Sequence, residues 1–204
     1  MMYRLALPRL RIIFFSLLLI VGNSRAERAF HIGVEMFDYR PLHWLEGSNY
    51  QGFNRSLLDA FARSRGYTFS YQAMPVKRLH KTFVRRDFDF KYPDDPTWSS
   101  DVKEGVSITY SNDVIGYIEG ALVKPQYLGM DVERIRLLGS IYGFTPWAFW
   151  DRVESKQVHI KGVAKFDALL KMAITNRVDA AYISVDVANY HLKNSLNKPG
   201  ALVF

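Results

Sequence analysis

The sequence predicts an α/β fold built as two lobes, and three observations predict it. Short runs that alternate apolar and polar residues are each followed by a segment of helical spacing, which argues for sheets with crossover helices. The same order of elements occurs in both halves of the chain. Between the halves runs "GYIEGALVKPQ", residues 116–126, a long extended stretch suited to crossing from one lobe to the other.

The elements follow in order. "FHIGVEM" alternates and reads as a strand over residues 30–36. A turn-rich segment, "FDYRPLHWLEGSNYQG", comes next. In "GFNRSLLDAFARSRG" Phe53, Leu57, Leu58 and Phe61 share one helical face, with Asn54 as the expected N-cap and Gly66 as the stop. "YTFSYQA" is a second strand. "VKRLHKTFVRR" spaces Val76, Leu79 and Phe83 as a helix, and "DFDFKY" is a third strand. In the second half "RIRLLGSIYG" is strand-like, and "TPWAFWDRVES" is a short helix with Thr145 as cap and Pro146 at its first position. "KQVHIKG" is a strand, "VAKFDALLKMAITN" a helix, "RVDAAYIS" a strand and "VDVANYHLKN" a final helix. The halves echo each other in detail. With Asp89 set against Asp179, Tyr92 falls against Tyr182 and Asp94 against Ser184.

The first residues are read apart from the rest. A basic start, the apolar run "IIFFSLLLIVG" and Ser24 and Ala26 at small-x-small spacing form a secretory signal peptide over residues 1–26. The run is too short for a membrane span, which needs about 20 residues. Arg4, Arg9, Arg11 and Arg25 lie in it without any acid, so the +7 of the whole chain falls to +3 once it is removed. That balance does not call for a nucleic-acid partner, which needs clustered basic residues in the folded part. The chain has no cysteine, which excludes disulfides, cysteine metal sites and thiol catalysis. The expected division is the signal peptide, lobe 1 over residues 27–122 and lobe 2 over residues 123–204.

Chemistry in the sequence is sparse. No GxSxG, GxGxxG, GxxxxGK or HExxH motif occurs. The five histidines, His31, His43, His80, His159 and His191, lack metal-ligand spacing, and no metal or cofactor is expected. The stretch "DFDFKYPDDPTWSSD" crowds five aspartates, two prolines and a tryptophan into residues 87–101. It has neither the regular ligand positions nor the turn glycine of a calcium loop. Two readings stand: a solvated loop whose aspartates cap its turns, or one wall of a ligand cleft made of Tyr92, Asp94 and Trp98. Aromatic faces attract cations and carboxylates accept their donors, so such a wall suits a polar or cationic small molecule. Opposite it, a helix beginning at Thr145 would offer free amides to an anionic group. Tyr39 and Trp44 follow the first strand near the same mouth, and Tyr182 and Ser184 end the echoing strand. Ligands of open α/β sheets bind at such strand ends.

The succession "HIGVEMFDYRPLHWLEGSNYQGFNRSLLDAFARSRGYTFSY" resembles the opening of the family 3 extracellular solute-binding proteins, periplasmic receptors of polar amino-acid ABC importers. The resemblance rests on Gly33 and Val34, the turn at residues 39–42, Gly52-Phe53-Asn54 and Gly66. It continues in the second-lobe entry at residues 139–145 and in "NRVDAAYIS", and spans residues 30–204. It implies a two-lobe periplasmic binding protein-like fold, a periplasmic monomer, a small polar, amino-acid-like ligand and an inner-membrane ABC permease as partner. It also implies a site arginine after the third strand, yet no arginine lies between Arg86 and Arg134, and Lys103 stands near its place. A lysine lacks the bidentate fork. The family's amino-group aspartate aligns with Ser184, with Asp186 two residues on. "NKPGALVF" reads as ending inside a strand, so lobe 1 is expected to lack about 40 to 60 residues of its return segment. Two alternatives share the fold: a dehydratase-like enzyme, whose acid and base would come from Asp94, Asp101, Lys103 and Asp186, and a ligand sensor. Non-catalytic binding is the leading expectation.

Overall fold

A computed structural model describes residues 28–204; the signal peptide read over residues 1–26 lies outside the described residues. The expected alternation of strands and helices is present in both halves. In the first, β1 (Arg28–Glu35) is the centre of a parallel three-stranded sheet flanked by β4 (Tyr67–Met74) and β5 (Phe90–Tyr92). α1 (Phe53–Arg65) and α2 (Val76–Val84) provide the crossovers. The turn-rich segment contains a hairpin that the pattern did not reveal, β2 (Trp44–Glu46) with β3 (Asn49–Gln51). Strands of three residues are too short to show alternation. A one-turn helix, α3 (Ser100–Lys103), ends the acidic stretch.

The second sheet has the order β6-β9-β7-β8: β6 (Glu119–Leu122), β7 (Leu137–Ile141), β8 (His159–Val163) and β9 (Ala180–Ser184). β6 lies within the segment assigned to lobe 1 from sequence, and it pairs antiparallel with β9 of the second sheet. β9 is thereby covered along both edges, and all five of its residues are buried. α4 (Trp150–Glu154), α5 (Phe166–Ile174) and α6 (Val185–Asn194) complete this half.

Two caps differ from expectation. Gly52, not Asn54, is the N-cap of α1; Asn54 is turned into the interior, where its Nδ2 meets His43 Nδ1 at 3.0 Å. Thr145 caps nothing. The chain enters α4 through a 3₁₀ turn, Trp147–Phe149, with Pro146 as its cap residue, so no helix N-terminus is presented at Thr145. Gly66 does end α1, in the left-handed conformation at φ 66°, where a side chain would be strained.

The two halves touch. Phe37 and Tyr39 from the chain after β1 pack on Phe144 and Phe166 of the second half, with ring centroids 5.1 to 6.0 Å apart. Aromatic pairs at this spacing contribute about 0.5–1.5 kcal/mol each beyond area burial. His191 Nε2 lies 3.2 Å from the Asp38 carbonyl across the same boundary. A cleft remains between the halves, roofed by the segment that leads into β6.

Candidate functional site

The cleft is lined from three directions. The first half supplies Glu35 from the end of β1, Tyr39 and Leu42 from the turn after it, Asn54, Val76, His80, Tyr92, Pro93 and Trp98. Ile115, Tyr117 and Glu119 come from the crossing segment, and Gly143, Phe144 and Thr145 from the loop after β7. Its interior measures about 50 Å³. That holds roughly three to five water-sized groups, so the cleft as it stands is narrow.

Of the residues named from sequence, Tyr39, Tyr92, Trp98 and Thr145 stand in this wall. Six others do not. Asp94 and Lys103 lie behind it, bound to each other. Lys103 Nζ donates to Asp94 Oδ1 at 2.8 Å and to the Asp95 carbonyl at 2.6 Å. Lys91 Nζ donates to the same Asp94 oxygen at 3.0 Å and to the Pro93 carbonyl at 2.7 Å. The three side chains are 0%, 7% and 7% exposed for Lys91, Asp94 and Lys103. The acidic stretch is therefore organised around a buried ion triad. Trp44 sits on the hairpin under the Arg40 guanidinium, 4.8 Å from its ring centre. Tyr182 is buried against Phe149, because β6 and β7 close both edges of its strand. Ser184 is fully buried and Asp186 is exposed on the first turn of α6.

Sequence reasoning missed the two carboxylates that do face the cleft. Glu35 is 4% exposed. Burial raises its pKa to about 7, with Glu119 and Asp94 adding to the rise and Lys91 opposing it. Glu119 is half-buried, accepts a hydrogen bond from the Tyr39 hydroxyl at 3.2 Å, and is also raised to about 7 by burial. Both carry a signal in the sequence. Each is the lone acid in an apolar run, Glu35 at the C-terminal end of the first strand and Glu119 in the crossover. A charge in a segment destined for burial is expensive and marks function more often than packing does.

Two buried imidazoles are neutral, His80 in the wall of the cleft and His43 behind it, beside Asn54 and Glu35. Burial lowers the pKa of His43 to about 3 and that of His80 to about 4, with Lys91 adding to the latter. The neutral His43 ring meets Asn54 Nδ2 with Nδ1 and faces the Glu35 carboxylate with Nε2 at 3.8 Å. Asn54 Oδ1 and His80 Nδ1 are buried and have no hydrogen-bond partner. Such orphans are uncommon in proteins and each requires a reason. Among the described residues no group of three or more His, Asp or Glu side chains could hold a metal ion.

No protein-family model and no curated protein matches the chain. Solved structures do. An ancestral arginine-binding protein bound to arginine superposes with TM-score 0.64 at 18% identity, over 87% of this chain and 78% of that one. The GluR0 ligand-binding core in complex with L-glutamate gives 0.66 at 14% identity over the same shares, 87% and 78%. An ancestral amino-acid-binding protein, a precursor of cyclohexadienyl dehydratase, gives 0.61 at 17%, over 81% of this chain and 74% of that one. The fold is that of the two-lobe periplasmic binding proteins.

Proposed function

We propose that this protein is a solute-binding protein that captures a small polar molecule between its two lobes. One observation carries the reading: the wall of the cleft is shared by both lobes and the crossing segment. In a fold of this kind, lobes that hinge about their crossing strands enclose a ligand and exclude water from it. The structural neighbours that bind arginine and glutamate support ligand capture in general. The finer reading is a periplasmic, monomeric receptor of the family 3 type that hands its solute to an ABC permease. It rests on the sequence resemblance and the signal peptide read at residues 1–26.

The test is thermal unfolding with a panel of polar solutes, amino acids and amines included. A ligand at a hundredfold its Kd adds about 2.7 kcal/mol, which raises the melting temperature of a chain this long by roughly 5 to 10 °C. A well-folded protein that no solute stabilises would refute the reading.

A second reading has one observation in its favour. Glu119, hydrogen-bonded to Tyr39 and raised by burial to about 7, is poised as a general acid or base. A dehydratase-like enzyme on this fold would turn over a bound solute, and Glu119→Gln would abolish that turnover.

A further inference from the structure

We infer that the cleft takes a small organic monocation, an amine or a guanidine, with Glu35 and Glu119 as its anchors. The inference rests on the binding reading above and names the ligand class of that site. Three features carry it.

The first is a count of charge. Among the described residues no lysine or arginine lines the cleft, while two carboxylates do. Lys91 and Lys103 are not part of the wall and share one oxygen of Asp94. Glu35, Asp94 and Glu119 thus face two ammoniums, and one negative charge is left over. A desolvated charge without a partner is unfavourable. Without ligand, a proton fills the gap, consistent with Glu35 and Glu119 both rising to about 7. The groups that bear on Glu35 are Lys91, Glu119, Asp94, Tyr39, Tyr50 and Tyr117, with neutral His43 beside it; those on Glu119 are Glu35, Tyr39, Tyr117 and Tyr182. Of these only Lys91 is cationic. An incoming cation replaces the proton.

The second is the orphan acceptor. Asn54 is 3% exposed, lines the cleft, and its Oδ1 has no partner. An unpartnered acceptor in the same wall as two carboxylates is satisfied by a donor such as N–H. The third is the wall. Tyr39, Tyr117, Trp98 and Phe144 present aromatic surface, which draws cations electrostatically. A carboxylate ligand finds no counterpart among the described residues: none of those in the wall is cationic, and the chain after Thr145 begins as a 3₁₀ turn.

Isothermal titration calorimetry at pH 7 tests this with ethylamine and methylguanidine against propionate and alanine. N-ethylacetamide serves as the neutral twin of the amine. The expected result is binding of the two cations, with proton release seen as a heat that changes between buffers of different ionisation enthalpy. Glu35→Gln and Glu119→Gln each weaken it at least tenfold while the variant still unfolds cooperatively. Alanine or propionate binding in preference to the amines overturns the cation assignment and leaves solute capture standing. N-ethylacetamide binding as tightly as ethylamine overturns it too. Silence from these probes and from the broad panel alike overturns both.

Discussion

The two lobes are built to one plan and filled with different chemistry. In lobe 1 the helix α2 is followed, one residue past its cap, by left-handed Arg86 at φ 63°; in lobe 2 α5 is followed likewise by left-handed Asn176 at φ 57°. Three residues on, Asp89 ties β5 to β1 by accepting from the His31 amide at 2.7 Å and donating to its carbonyl. Asp179 does the same for β9 and β7, accepting from the amides of Arg136 and Leu137 at 2.8 Å each. Leu79 and Leu169, both 0% exposed, press on Gly33 and Gly139 of the central strands. A Cβ at either glycine would stand 2.6 Å from that leucine, so each strand needs glycine for its helix to lie close.

Past the shared frame the lobes part. Where lobe 2 has Ala181, lobe 1 has Lys91; where lobe 2 has Ser184, lobe 1 has Asp94. β9 is an inner strand, and its Tyr182 is sealed into the core. β5 is an edge, so its twin Tyr92 reaches the cleft. The difference teaches where function was placed. Lobe 2 is the apolar support, and lobe 1 carries buried charge at a cost in stability.

Substitutions at twin positions would break or sharpen this contrast. The largest effect is expected from Asp94→Ala, which leaves Lys91 and Lys103 buried without their shared counter-ion. Removing one partner of a buried ionic group costs about 3–5 kcal/mol. Ser184→Ala, its twin, removes a hydroxyl that has no hydrogen-bond partner and should change stability by less than about 1 kcal/mol. Equal losses for the two in urea unfolding would erase the contrast. The smallest difference between twins is expected where the lobes agree. Asp89→Ala and Asp179→Ala should each cost about 1 kcal/mol, with Asp179 the larger because it holds two amides. A loss at Asp89 well above that at Asp179 would show that the frame is not shared.

Much of this frame was legible in the sequence because it rests on local pattern. Alternation located β1, β4, β7, β8 and β9, helical spacing located α1, α2, α5 and α6, and the echo of Asp89 with Asp179 proved to be one structural device used twice. The site was less legible. Tyr182 and Ser184 looked like cleft residues by analogy with Tyr92 and Asp94, but strand order decides which twin is an edge, and strand order is non-local. Asp94 and Lys103 looked available because their partner Lys91 lies in a strand whose burial the sequence did not declare. Glu35 and Glu119 were passed over because neither belongs to a motif, although an acid in an apolar run was the signal to follow.

The most direct test of the account is the melting temperature between pH 6 and 8. Glu35 and Glu119 have their pKa raised from 4.5 to about 7, so their contribution to stability is present at low pH and is lost as pH rises through 7. His43 and His80 are lowered to about 3 and about 4, and destabilise only as pH falls below about 6.5. Between pH 6 and 8 the carboxylates lower stability by about 1 kcal/mol each, more than the two imidazoles restore over the same range. The account predicts that the melting temperature falls over this range, that saturating ethylamine levels the fall, and that the Glu35→Gln/Glu119→Gln variant shows no fall, only the rise that His43 and His80 give as they lose the strain of protonation. Parallel profiles for the protein and the double variant, unmoved by ethylamine, would contradict it.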